Sequence, residues 1–229
     1  DWAAALRECQ ADDAVNVVVL TGAGRAFCAG GDISGFGQRD GNPALAIGNY
    51  LRNHVHPVAR AVDALQKPYI CALNGVATGA GLDMALMADM RFAARRARFA
   101  ETYVKVGLIP GDGGAFLLPR LVGLTKALEL LWSGDFVSAE EAERIGLISK
   151  VFDDDELMDE TYAFAERLAN GPSIAIRLMK QAVYQFLRTD FLTSLEAVTA
   201  PIGVAYGTED HREAVAAFME KRQPTFKGA

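Results

Sequence analysis

The sequence has few cysteines and few histidines, three of each. Cys9, Cys28 and Cys71 are odd in number and widely spaced, which is typical neither of a disulfide framework nor of a metal site. We expect reduced thiols that pack as small apolar groups. Cys28 lies in a glycine-rich loop and could be a nucleophile, but no histidine is near it in the sequence to activate it, so packing is favoured.

The sequence also lacks long apolar runs and blocks of like charge. No stretch approaches the length needed to span a bilayer, and no charged and then apolar leader opens the chain. The net charge is −6, with acidic and basic residues interspersed, which argues against nucleic-acid binding as the main role. We therefore expect a soluble cytoplasmic protein that has neither nucleic acid nor a membrane as a partner.

The 229 residues, 51% of them hydrophobic, are enough for one sizeable core. Short apolar runs alternate with helical patterns, which predicts an α/β fold with a mostly parallel sheet. The predicted strands cover residues 15–20, 69–73, 89–94, 98–99 and 147–152. The predicted helices cover residues 2–11, 44–66 with a bend at Pro57, 117–131 with a break near Gly123, and 139–145. Residues 155–218 are expected to be mostly helical, with breaks near residues 171, 189 and 207.

Two of these strands run into loops with almost no side chains. Residues 15–20 precede Thr-Gly-Ala-Gly-Arg-Ala-Phe-Cys-Ala-Gly-Gly-Asp, and residues 69–73 precede Asn-Gly and then Gly79-Ala80-Gly81, just before a helical segment. Such turns leave backbone N–H groups free at the positive end of a helix. Two facing loops could each give one N–H to a single carbonyl oxygen and stabilise an enolate or a tetrahedral oxyanion. Neither loop has the complete GxGxxG pattern, so dinucleotide binding is not expected.

Residues 18–32, 74–81 and 107–114, the last reading Gly-Leu-Ile-Pro-Gly-Asp-Gly-Gly, resemble the crotonase superfamily, the enoyl-CoA hydratase/isomerase family. The likeness continues through residues 138–149 into the C-terminal helices. It implies an α/β fold built as a crotonase-like spiral of repeated ββα units, with a C-terminal helical region for oligomerisation. Residues 1–152 would form the core, without the N-terminal hairpin of the family, and residues 153–229 the helical region. A homotrimer, or a hexamer made of two trimers, is expected.

The resemblance implies an enzyme, a lyase or isomerase of fatty acid metabolism that acts on acyl-CoA. Coenzyme A would enter as part of the thioester substrate, and neither a permanently bound cofactor nor a metal is expected. The two oxyanion N–H groups fall on Ala29 and Ala80. Arg25 is a candidate phosphate contact, although it could equally be a solvated loop charge. The residues expected to contact coenzyme A or substrate are Arg25, Ala29, Gly30, Gly31, Asp32, Ile33, Gly79, Ala80 and Gly81.

The candidate catalytic residues depart from the hydratase pattern. The two positions that carry glutamates in the hydratases hold Asp83 and Tyr103 here, so addition of water by two carboxylates is in doubt. Asp112 lies at or next to the position where several other members of the family carry their working aspartate. Asp83 could instead serve only the helix dipole, and Asp112 could only cap the next helix. Glu101 could replace the missing glutamate.

His54 and His56 are the histidines closest to these motifs in the helical pattern. Because they are two residues apart on one helix, they cannot both face a pocket, and surface or packing roles are favoured.

The expected function is that of an enoyl-CoA hydratase/isomerase-type enzyme that stabilises a thioester enolate. Hydration is the reaction that is the default in the family. The residues favour isomerisation of a double bond, in an enoyl- or dienoyl-CoA, by Asp83, Asp112 or both. A catalytically inactive acyl-CoA-binding protein that keeps the oxyanion loops is the alternative from another class.

Overall fold

The computed structural model describes residues 1–32, 34 and 42–229. Ile33, one of the residues expected to bind coenzyme A, therefore lies outside the described residues. The seven strands found in the described part of the chain are β1 Val18–Thr21, β2 Tyr69–Leu73, β3 Ala77–Thr78, β4 Met90–Ala94, β5 Arg98–Ala100, β6 Val137–Ser138 and β7 Lys150–Phe152.

The strands form two small sheets. One has the order β1-β2-β4-β7 and is parallel throughout. In the other, β3-β5-β6, the β3–β5 pair is parallel and the β5–β6 pair antiparallel. From β2 to β5 the chain places successive strands alternately in the two sheets, which is the course expected for a spiral of ββα units. The predicted α/β class with a mostly parallel sheet is confirmed.

Two strands are shorter than the sequence predicts, because neighbouring turns use their backbone groups. Before β1, the N–H of Val15 donates to the carbonyl of Asp12, in the turn that follows the first helix. Before β7, the N–H groups of Leu147 and Ile148 both donate to the carbonyl of Ala142 and close the preceding helix. Because the apolar runs continue through these turns, composition alone places the first residue of each strand too early in the chain.

The helices follow the predicted breaks. The α-helices are α1 Trp2–Ala11, α2 Pro43–Tyr50, α3 His56–Asp63, α4 Ala80–Leu86, α5 Gly114–Val122, α6 Leu124–Ser133, α7 Ala139–Arg144, α8 Leu157–Ala169, α9 Ser173–Phe186, α10 Phe191–Ala197, α11 Thr199–Tyr206 and α12 Glu209–Glu220. The break at Gly123 has φ of 78°. Instead of a simple bend at Pro57, a π-helical turn, Leu51–Val55, joins α2 to α3, and the N–H of His56 donates to the carbonyl of Leu51.

The core lies on both faces of the parallel sheet. Every residue of β2 is buried, as expected for a central strand covered on both sides. On one face pack α1, α3 and α4. On the other face, Leu157 and Ala165 of α8 pack with Phe152 of β7 in a smaller cluster. Within the described residues, no helix is long and apolar enough to cross a membrane. This packing fixes α4, and with it the second glycine loop.

Candidate active site

The two glycine loops lie against each other. Cys28 and Ala77 form a parallel β-bridge, and the N–H of Thr78 donates to the carbonyl of Cys28 at 3.0 Å. The Thr78 hydroxyl donates to the carbonyl of Ala29 at 2.9 Å. A β-carbon on Gly81 would overlap with the Cys28 carbonyl, so this close approach requires glycine. Main-chain contacts therefore hold the loops in a fixed relationship.

Both expected oxyanion donors, Ala29 and Ala80, have no acceptor for their N–H groups in the part of the chain that the structure describes. Ala80 is the first residue of α4, where backbone N–H groups have no partner within the helix. Among the described residues, no acceptor receives the N–H of Ala80 or that of Ala29. A β-carbon on Gly30 would lie 3.9 Å from the Ala80 nitrogen, which shows how closely the first loop approaches α4. Two unpaired backbone donors on adjoining loops are the arrangement an oxyanion hole needs.

The three candidate catalytic residues are brought together by one hydroxyl group. The Tyr103 hydroxyl lies 2.8 Å from Oδ2 of Asp83 and 3.1 Å from Oδ2 of Asp112. Asp83 lies on α4, Tyr103 on a 3₁₀ turn, Thr102–Val106, and Asp112 in the loop before α5. Asp83 has no exposed surface and Asp112 keeps 6%. The structure thus places two buried carboxyl groups on either side of a phenol.

The contacts of Asp112 bear on whether this residue caps the next helix, the alternative to a catalytic role. α5 begins at Gly114, and its N-cap is Gly113, which has φ of 115°. Among the described residues, no side chain makes a capping hydrogen bond at the start of this helix. The Asp112 side chain contacts Tyr103 instead. Capping of the next helix is therefore not the role of Asp112.

Burial sets the protonation of these groups. It raises the pKa of Asp83 to about 6, against an opposing hydrogen bond from Tyr103. It also raises the pKa of Asp112, which Tyr103 and the charge of His56 lower in turn. Burial, and then the Asp83 charge, raises the pKa of Tyr103 far above its ordinary value, so the phenol stays neutral. Asp83 can therefore exchange a proton near neutral pH, and burial shifts the pKa of Asp112 in the same direction.

The Tyr103 hydroxyl has one hydrogen and can donate only one of its two hydrogen bonds. The other contact is favourable only if the aspartate carries a proton and donates it to the phenol oxygen. The distances at Tyr103 therefore point to one proton shared between Asp83 and Asp112.

Glu101 lies beside this group and has no exposed surface. Burial raises its pKa to about 9, and the charge of Asp83 adds to this increase. Glu101 follows β5 and precedes the 3₁₀ turn, so it does not share a regular strand with Tyr103. Strand alternation, the only signal available from the sequence, is therefore no guide to where its carboxyl group lies.

The other residues expected to contact coenzyme A or substrate lie in the two glycine loops. Arg25, Gly31 and Asp32 are exposed and Gly30 is partly buried. The Asp32 carboxylate accepts the N–H of Ser34 at 2.9 Å and thereby turns the loop. Gly79, with φ of 49°, is the N-cap of α4.

The two histidines differ. His54 is exposed and its ring contacts Tyr50. His56 is partly buried, and its Nε2 lies 3.1 Å from the carbonyl of Gly111, next to Asp112. Because a carbonyl only accepts, this contact fixes Nε2 as the protonated nitrogen.

Two contributors to the site are not identified by the sequence. Thr78 holds the Ala29 loop through its hydroxyl. Gly114 leaves space for Asp83, because a β-carbon there would overlap with Oδ1 of that residue. A threonine beside a glycine turn is the only sequence signal for the first, and a glycine next to Gly113 is the only one for the second.

Comparison with known proteins gives consistent matches over the full chain. Residues 1–229 match the model of a protein family described as enoyl-CoA hydratase/isomerase. The 1,2-epoxyphenylacetyl-CoA isomerase of Escherichia coli K12 is 40% identical over 223 residues, which cover 97% of this chain and 85% of the relative. The crotonyl-CoA hydratase of Syntrophomonas wolfei is 37% identical over 216 residues, covering 94% and 82%. The crystal structure of an enoyl-CoA hydratase from Bacillus anthracis matches with a TM-score of 0.92 at 33% identity, covering 100% and 87%.

Proposed function

Because this chain belongs to the enoyl-CoA hydratase/isomerase family, we propose that it moves a double bond within an acyl-CoA thioester by proton transfer through Asp112, Tyr103 and Asp83. Family membership confirms the crotonase-like fold and the enzyme class that the sequence predicts. The observation that carries the proposed reaction is the Tyr103 hydroxyl between two buried aspartates of raised pKa. Similarity to a relative named 1,2-epoxyphenylacetyl-CoA isomerase supports isomerisation of an acyl-CoA thioester as the general class of reaction.

The backbone N–H groups of Ala29 and Ala80 hold the thioester oxygen in this proposal. As a proton leaves the α-carbon, the oxygen becomes negative and both hydrogen bonds strengthen. One such donor contributes about 3 kcal/mol to lowering the barrier. Coenzyme A lies along the first glycine loop, from Ala29 to Asp32, where Arg25 is an exposed positive charge for a phosphate.

Asp112 exchanges the proton with substrate, because it keeps some exposed surface whereas Asp83 has none. In one state Asp112 is ionised and accepts a hydrogen bond from the Tyr103 hydroxyl. Asp83 is then protonated, and its O–H donates a hydrogen bond to the phenol oxygen. Ionised Asp112 takes the α-proton of a 3-enoyl thioester, the C–H electrons form the dienolate, and Asp112 returns the proton to the γ-carbon. The double bond moves from β,γ to α,β, and no atom is gained or lost.

Tyr103 lets the two aspartates exchange roles before substrate is deprotonated, while the pair holds one shared proton. When Asp112 carries that proton and Asp83 is ionised, Asp112 can pass the proton to the phenol oxygen while the phenol passes its own to Asp83, which leaves Asp112 ionised and able to take the α-proton. The tyrosine remains neutral in both states, in agreement with its raised pKa. Asp83 is then a buried store for the proton, and the negative charge need not stay on the group that faces substrate.

Hydration is the second candidate, because relatives at 37% identity are named crotonyl-CoA hydratase and short-chain-enoyl-CoA hydratase. In that reaction two carboxylates act on one water. Tyr103 occupies one of the two positions here, and its hydroxyl is bound to the carboxyl group at the other.

The deciding experiment uses a 3-enoyl-CoA and, separately, crotonyl-CoA, in water labelled with ¹⁸O and in heavy water, with products identified by mass spectrometry. Isomerisation gives a shifted double bond without ¹⁸O, and Asp112→Asn abolishes it. Incorporation of ¹⁸O as a hydroxyl identifies a hydratase. If the thioesters bind but neither change nor exchange α-protons, the protein is an inactive acyl-CoA-binding protein.

The C-terminal helices support the expectation of a homotrimer, or a hexamer made of two trimers. They leave many large apolar side chains exposed, namely Met179, Val183, Leu187, Phe191, Leu192, Leu195, Ile202, Val204, Tyr206 and Phe218. Exposed apolar surface of this extent is typical of protein contacts, and a second copy of the chain is the partner that we propose. Light scattering of the purified protein gives the number of copies, and a monomer would contradict the proposal.

A further inference from the structure

Glu101 is an acidic residue in the core next to the proposed proton-transfer group. None of its surface is exposed. Neither of its carboxyl oxygens has a hydrogen-bond partner among the described residues, by donor–acceptor geometry. The same is true of Oδ1 of Asp83, the oxygen that Tyr103 does not contact.

A buried carboxylate without a partner is strongly unfavourable, so a group in this position gains a proton instead. The charges that act on Glu101 are those of Asp83 and Asp112, and both are negative. Burial and these two charges together raise the pKa of Glu101 to about 9. Glu101 is therefore neutral at pH values where Asp83 can ionise.

We propose that Glu101 is a positioning residue that stays protonated and donates its O–H to Oδ1 of Asp83. The inference rests on the proposed function for its role in the reaction, but the protonation of Glu101 does not depend on it. A neutral carboxyl has one O–H donor, and Oδ1 of Asp83 is a buried acceptor that receives no hydrogen bond from the described residues by donor–acceptor geometry. The two carboxyl groups also act on each other's pKa, and Glu101 lowers that of Asp83.

The hydrogen bond from Glu101 stabilises ionised Asp83 and so weakens its hold on the proton. Asp83 therefore releases its proton more readily, as a transfer in both directions through Tyr103 requires. The titratable groups that face this site are Asp83 from α4, Tyr103 from the 3₁₀ turn and Asp112 from the loop before α5. His56 from α3 acts on Asp112.

Two substitutions of similar size test the role of Glu101 in the reaction. Glu101→Gln keeps a donor in its amide N–H, so we expect kcat within about threefold of the wild type and an unchanged pH profile. Glu101→Met removes the donor, and we expect the pKa at which the dyad loses its shared proton to rise by about one pH unit in the kcat profile, with KM unchanged. A loss of more than about 100-fold in Glu101→Gln would identify ionised Glu101 as the base itself and overturn the proposal. An unshifted profile in Glu101→Met would reduce Glu101 to a packing residue.

A second measurement needs no turnover. The measurement is ¹³C NMR of protein labelled at the glutamate side-chain carboxyl, in which the unlabelled aspartates give no signal. The Glu101 resonance is the one that is missing from the spectrum of Glu101→Gln. We expect it to show a protonated carboxyl at neutral pH and to titrate only near pH 9. Titration at the ordinary glutamate pKa would overturn the proposal. If the Glu101 carboxyl stays protonated but the wild type isomerises no thioester, only the proposed function fails.

Discussion

Gly114 and Asp83 lie so close that a β-carbon at residue 114 would overlap with Oδ1 of the aspartate. Asp83 is held on α4, and Gly114 is the first residue of α5. Because residue 114 has no side chain, α5 can begin directly against the Asp83 carboxyl group, and the preceding Asp112 can reach the other side of Tyr103. A glycine on one helix thus determines the distance between two acids on different elements.

Gly114→Ala is expected to displace Asp83 from Tyr103. Overpacking of this size usually costs about 1–3 kcal/mol of stability, so the variant should still fold. Displacement of a catalytic group by about 1 Å can lower the rate about 100-fold, and we expect a loss of kcat of this order. Steady-state kinetics and thermal unfolding of the variant measure the two effects separately.

Gly203→Ala is the matched control for Gly114→Ala. Gly203 lies within α11, and a β-carbon there would meet nothing within 4 Å. Alanine is a better helix former than glycine, so this variant should be as stable as the wild type and fully active. Full activity in Gly114→Ala as well would mean that the position of Asp83 does not matter for the reaction.

Tyr103→Phe removes the hydroxyl that joins the two aspartates and keeps the ring. General acid–base groups contribute about 100- to 10,000-fold, so we expect kcat to fall by at least about 100-fold with little change in KM. Tyr184→Phe is the control, because it removes a hydroxyl that donates to Asp89 at 2.8 Å, outside the site. Equal activity of both variants would show that the proton does not pass through Tyr103.

The parts of this site that depend on local sequence could be predicted. The apolar run 69–73 predicts β2, and the glycines before the helical segment predict free N–H groups at the start of α4, although the short strand β3 between them is not predicted. The break between α5 and α6 follows from Gly123, whose φ of 78° favours glycine.

The carboxyl group cluster depends on tertiary packing and could be predicted only in part. The resemblance to the family identified Asp83, Tyr103 and Asp112 as candidates, but their contacts join residues 20 and 9 positions apart on three elements. Tyr103 lies in a 3₁₀ turn, where the two-residue alternation of a strand does not apply. Among the described residues Glu101 has no hydrogen-bond partner, which depends on all of its neighbours in the core and follows from no pattern in the sequence.

Glu101 is expected to make the folded protein less stable as the pH rises. Its pKa of about 9 in the folded state lies above the ordinary value of 4.5 because the group is buried. Between these values the folded state binds more protons than the unfolded state, so this contribution is fully present at low pH and is lost as the pH approaches 9. The free energy of unfolding should fall by at most about 1.4 kcal/mol per pH unit from this group.

Glu101→Gln cannot bind this proton and should lack that dependence. Denaturant unfolding of the wild type and the variant, at several values between about pH 5 and about pH 9, should show the variant gaining stability relative to the wild type as the pH rises. Groups common to both proteins cancel in the difference. A constant difference would mean that Glu101 titrates at the same pH in the folded and unfolded states.

The proposed oxyanion hole can be tested by deleting the backbone N–H of Ala80. Ala80 is the first residue of α4, the helix position that tolerates proline because its N–H has no partner in the helix. Gly79 before it is free of the restriction that a β-carbon would meet next to proline. Ala80→Pro therefore deletes the proposed donor while α4 can still form, and we expect kcat to fall about 100- to 1,000-fold.

Ala80→Gly keeps the N–H and is the control, with a small loss of helix stability and nearly normal kcat. Circular dichroism and thermal unfolding of both variants separate loss of the donor from loss of α4. If Ala80→Pro is folded and fully active, the thioester oxygen is not held by the N–H of Ala80. If it is folded, binds the thioester and no longer exchanges the α-protons in heavy water, the missing step is enolate formation, which is the step that requires this donor.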